Sequence, residues 1–99
     1  MKKALSVTLK AKLGKEEEVA AFLASAQSLV AQEAGTITWY AFRVDQRTFG
    51  IFDSFGNDEA RQAHLQGAVA AALLGRAEEL LDGRPEIRAV DILAEKLPA

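Results

Sequence analysis

TITWYAFRVDQRTFGIFDSFGNDEARQAHLQG, residues 36–67, decides the fold. Its first part, Thr36 to Val44, is rich in β-branched and aromatic residues, the composition of a strand. Asp45 to Thr48 reads as a tight connection, and Phe49 to Phe55 as a second strand, so the two form a hairpin. Asn57 or a neighbour then caps a short helix, with Asp58 and Glu59 in the first turn. The short helix that follows carries the chain's one histidine, His64, and Gly67 interrupts it.

Working outward, Leu5, Val7, Leu9 and Ala11 alternate with Ser6, Thr8, Lys10 and Lys12, which predicts a strand with one apolar face. Val19, Phe22, Leu23, Ala26, Leu29 and Val30 recur at three and four, the helical spacing. Glu16, Glu17 and Glu18 suit the positive end of that helix, and Gly35 its stop. After Gly67, AVAAALLGRAEELL resumes as a helix closed by Gly83 and Pro85. Glu86 to Leu97 is the last expected strand, with Val90, Ile92 and Ala94 alternating. The order is βαββαβ. It predicts an α+β, ferredoxin-like fold: a four-stranded antiparallel sheet with helices on one face.

The 99 residues form one expected domain, 1–99, close to the size at which domains cluster, about 100–150 residues. The formal net charge is −2 and the twelve Lys and Arg are scattered, so a nucleic-acid groove is not expected. No stretch is long enough to span a membrane. MKKALSVTLKAKLG imitates a signal peptide faintly. Lys10 and Lys12 interrupt its apolar run before it reaches the ~7–15 residues a signal needs, so a cytoplasmic location is expected. The chain has no cysteine and one histidine, which excludes thiolate chemistry and a multi-histidine metal site within one chain.

A sheet covered on one side should turn polar residues to the other. This hairpin does not. Ile37, Trp39 and Ala41 share one parity, and Tyr40, Phe42 and Val44 the other; Phe49, Ile51 and Phe55 oppose Phe52 in the same way. Both faces want cover, and a second copy of the sheet would supply it, so a homodimer through the sheet face is expected.

Chemistry narrows to Asp53 and His64. Asp53 shares parity with Phe49, Ile51 and Phe55, and a carboxylate among apolar neighbours must be paired or protonated. On the helix Ala60, His64 and Gly67 fall along one side, which brings His64 within reach of Asp53 if that side packs on the third strand. The pair would suit a general base or proton shuttle. It would equally suit a structural bond fixing helix to sheet. A Ser54–His64–Asp53 triad is not expected, because adjacent strand residues point to opposite faces. Trp39, Phe55, Arg43 and Asn57 are the candidate walls and polar contacts of a site for a small aromatic ligand; the aromatics could also be core or interface filler.

The stretch from Glu33 to Gly67 resembles the antibiotic biosynthesis monooxygenase (ABM) domain family, the small quinol oxygenases and their relatives. The matching features are Glu33, Gly35 and Thr36 leading into the second strand, Asp53 near the end of the third, and Ala63–His64 closing the following helix. The resemblance implies a dimeric α+β barrel. It implies oxidation of a quinol or hydroxylated aromatic by O2 with no cofactor, neither metal nor flavin, with His64 as the family's helix histidine. Haem-degrading relatives add a first-strand asparagine and a tryptophan ending the third strand. Here Ser6, Thr8 and Phe55 occupy those places, so haem degradation is not implied. The alternative is a non-catalytic dimer that binds a small aromatic molecule.

Overall fold

The computed structural model describes residues 3–98. Its strands are β1 (Lys3–Lys10), β2 (Thr36–Arg43), β3 (Thr48–Phe55) and β4 (Glu86–Asp91), and its helices α1 (Glu16–Val30), α2 (Asp58–Leu65) and α3 (Ala68–Leu80). The strands pair antiparallel in the order β2-β3-β1-β4. This is the ferredoxin-like arrangement that the element order predicts.

Alternation along the strands becomes burial in the sheet. Leu5, Val7 and Leu9 of β1 and Phe49 and Ile51 of β3 point to one face and are buried. All but Leu5 meet Val19 and Leu23 of α1 and Leu73 and Leu80 of α3 in one apolar cluster. A second, smaller cluster joins Ala26 and Val30 to Val69, and Trp39 packs against both. Both clusters therefore lie between the sheet and the helices.

One bulge and two strand ends depart from the expectation by more than a one-residue shift. The bulge between Thr36 and Thr38 breaks the parity of β2, so Ile37 is an exposed extra residue and does not share the face of Trp39. The first strand ends at Lys10; Ala11 keeps only one isolated bridge, to Leu81. The last strand ends at Asp91, well short of Leu97. Asp91 pairs with Lys3, and Ile92 and Ala94 lie beyond the strand.

The hairpin turn is held by Asp45, whose Oδ1 accepts from the backbone N–H of Arg47 (3.0 Å) and of Thr48 (2.9 Å). On the sheet face away from the helices, Tyr40, Phe42 and Val44 stand exposed. No helix among the described residues is long and apolar enough to cross a membrane.

Candidate functional site

Three elements converge on His64. Asn57 caps α2 by accepting the backbone N–H of Ala60 at 2.8 Å, which sets the helix start and hence the side His64 faces. Arg61, on the same helix, ties it to the sheet: Nη1 donates to the carbonyls of Ala4 and Val90, and Nη2 to Asp58. β3 presents Asp53 on the helix side, where the carboxylate is 1% exposed. The third element is the turn after α1. Its backbone keeps turning past Val30, with Gln32 N–H donating to Leu29 and Glu33 N–H to Val30, and this carries Glu33 back over α2.

The histidine is held at both nitrogens. Nε2 lies 2.9 Å from Asp53 Oδ2, and Nδ1 lies 2.5 Å from Glu33 Oε1. Glu33 Oε1 also accepts from Thr36 Oγ at 2.7 Å. The Phe55 ring packs against the imidazole, centroids 5.2 Å apart. Burial by itself pulls the His64 pKa down, but the hydrogen bonds and negative charges of Asp53 and Glu33 outweigh it, and the net shift is upward. The protonated ring can donate to both carboxylates at once; the neutral ring can donate to one only. Such an arrangement can take a proton on one side and release it on the other.

Two hollows flank the ring. An open cleft of about 350 Å³ is bordered by Glu33, Gly35, Thr36, Ala60, His64 and Gly67. Its size falls within the usual range for small-molecule sites, about 300–1,000 Å³. On the Asp53 side lies a cavity of about 40 Å³ walled by Leu5, Val7, Ile51 and Leu73, too small for a ring. Asp53 Oδ1 is buried there without a hydrogen-bond partner.

The structure brings together Asp53, His64 and Phe55. Trp39 is the cross-strand neighbour of Asp53, but it lines a separate hollow of about 220 Å³ that shares Glu33 and Thr36 with the cleft. Its indole N–H is buried and unpartnered. Arg43 lies elsewhere. It pairs with Phe49, four residues or about 13 Å along the strand from Trp39. Its guanidinium sits over the Phe49 ring and binds Glu17 at 3.0 Å. Asn57 spends its side-chain oxygen on the cap and does not border the cleft. Ser54 points to the opposite face from Asp53 and binds Thr38, so no serine triad forms. Reading residues by parity and helical spacing missed Glu33 as the second partner of the imidazole. Its only signal was the Glu-x-Gly-Thr pattern, Glu33 to Thr36, which the family resemblance uses.

No family model matches the chain, and none of the curated proteins matches it in sequence. Among solved structures, the NE2512 protein of unknown function from Nitrosomonas europaea is 50% identical, with a TM-score of 0.96 over 99% of this chain and 95% of that one. PA3566 from Pseudomonas aeruginosa is 22% identical, TM-score 0.81, over 94% and 95% of the two chains. A protein named antibiotic biosynthesis monooxygenase is 14% identical, TM-score 0.79, over 95% of this chain and all of that one. The last two share the fold; the first is a close relative over its whole length. The chain therefore belongs to one family with the Nitrosomonas europaea NE2512 protein, built on the fold of the antibiotic biosynthesis monooxygenases.

Proposed function

We propose that the chain is a small cytoplasmic oxygenase that oxidises a quinol or hydroxylated aromatic with O2 and no resident cofactor, acting as a homodimer. The observation that carries this is His64 held between two carboxylates, one sealed in the core and one at the rim of a cleft. A quinol becomes reactive toward O2 once its hydroxyl proton is removed, and a charge-linked imidazole is suited to move that proton. For a hydroquinone the balance is quinol plus O2 giving hydroxyquinone plus water. The ring oxygen comes from O2, and the quinol supplies the electrons. His64 is the proton shuttle, Asp53 orients it from behind, and Phe55 backs the imidazole. The apolar, exposed face of Tyr40, Phe42 and Val44 supports pairing with a second copy.

The test is oxygen uptake with a panel of hydroquinones by the wild type and by His64→Ala. Uptake that falls at least tenfold in the variant supports the reading. Absence of uptake by the wild type with every hydroquinone refutes it.

One observation favours a second reading. Both imidazole nitrogens are already partnered, which is what a binding module without turnover would also show. That reading expects thermal stabilisation by an aromatic ligand without oxygen uptake.

A further inference from the structure

The Asp53–His64–Glu33 cluster leaves one acceptor facing the cleft, and it is not on the histidine. Both ring nitrogens of His64 are engaged. Asp53 is sealed from solvent, whereas the Glu33 side chain is 20% exposed. Glu33 Oε1 already accepts from Thr36 and His64. Glu33 Oε2 accepts no hydrogen bond among the described residues.

The chain leaves room at that oxygen. A Cβ added at Gly67 would stand 3.2 Å from Glu33 Oε2. Gly67 has φ −92, which any residue adopts, and the same Cβ would also stand 3.3 Å from the Ala63 carbonyl and 3.4 Å from the His64 carbonyl. Ala60 and Ala63 add only methyl groups to the cleft wall. The geometry points to Glu33 Oε2 as the atom that receives the hydroxyl proton of a neutral hydroxyarene, which makes Glu33 a catalytic residue, with His64 the shuttle behind it that the proton reaches through Glu33. The inference rests on the functional reading above and names its proton acceptor.

The step is a simple transfer. The aryl O–H bond breaks, an O–H bond forms at Glu33 Oε2, and the electron pair stays on the aryl oxygen. Negative charge thus moves from Glu33 to the ligand, beside the imidazolium. With His64 protonated and both acids ionised the cluster carries a formal charge of −1. It accepts a neutral hydroxyl and repels a carboxylated ring.

The experiment is an NMR titration of the full chain with 2-naphthol and with its methyl ether, 2-methoxynaphthalene, read at the amides of Gly35 and Gly67. The wild type should favour the hydroxyl over the ether by about tenfold or more, the size of one charge-assisted hydrogen bond. In Glu33→Gln the amide keeps its oxygen toward Thr36 and His64 and turns its NH2 to the cleft, so the preference should fall to about one. Gly67→Ala, which crowds Oε2 without changing charge, should lower the preference as well, and it carries the test should Glu33→Gln fail to fold. A preference unchanged in both variants, or no binding of 2-naphthol at the cleft, overturns the inference. If the preference behaves as expected but no hydroquinone drives oxygen uptake, the acceptor stands and the oxygenase reading falls. If uptake occurs and the preference ignores Glu33, the reverse holds.

Discussion

Replacing His64 with alanine strips Asp53 of its partner. Oδ2 loses its 2.9 Å contact, Oδ1 has no partner to begin with, and the residue is 1% exposed. Glu33 suffers less, because it keeps the Thr36 hydroxyl and some solvent. Deleting one side of a buried charged pair costs about 3–5 kcal/mol. The lower end, about 3 kcal/mol, is expected here because the space vacated by the ring adjoins the open cleft and admits water. For a domain of this length that corresponds to a fall of roughly 12–24 °C in Tm. The assay is urea unfolding followed by fluorescence of Trp39, the single tryptophan, which is the cross-strand neighbour of Asp53.

The pH dependence has a definite sign. The folded-state pKa of His64 is raised above 6.5. Its stabilising contribution is therefore fully present below about pH 6.5 and is lost as pH rises through the folded value. The gap between wild type and His64→Ala should shrink as pH rises above 6.5. Adding Asp53→Asn to His64→Ala should recover part of the loss, since a buried orphan amide costs less than a buried orphan charge. A gap below about 0.5 kcal/mol at pH 6.5, ordinary for an uncoupled surface site, would refute the reasoning. So would a gap that widens as pH rises.

Phe42→Glu places a charge on the exposed sheet face and should convert a dimer to a monomer in sedimentation analysis; a monomeric wild type at micromolar concentration would defeat the dimer proposal. Gly35→Ala brings a Cβ to 2.9 Å from Ala60 Cβ, a short side chain that cannot swing aside. It should cost about 1–3 kcal/mol in urea unfolding. Asn57→Ala removes the cap on Ala60 and should lower stability by about 1 kcal/mol. Because Asn57 lies outside the cleft, the affinity of that variant for 2-naphthol should equal the wild type's.

Element types and their order were legible because each follows from local periodicity. Alternation in Leu5, Val7 and Leu9 and the three-four spacing in Val19, Leu23 and Ala26 reflect how side chains leave a strand or a helix, whatever surrounds them. The Asp53–His64 contact was legible for the same reason: parity put the acid on the helix side, and spacing put the ring on the sheet side of α2. Asn57 could be read locally as a cap, and the structure spends its side chain there.

The far ends of the sequence-to-site relation were decided by tertiary packing. Arg43 shares parity with Trp39, and parity does not say how far along the strand a guanidinium will find its carboxylate; Glu17 on α1 claims it. The bulge at Ile37 shifted one residue out of register, which no alternation rule foretells. The last strand stopped at Asp91 although the apolar alternation runs on through Ile92 and Ala94. Above all, Glu33 sits in a turn with no periodicity, 31 residues from His64. Its position depends on how the end of α1 docks against α2, a matter of packing between elements. Sequence alone determined the βαββαβ order and half of the histidine's environment. Only the folded chain placed the second carboxylate, because turns are positioned by the elements they join and not by their own pattern.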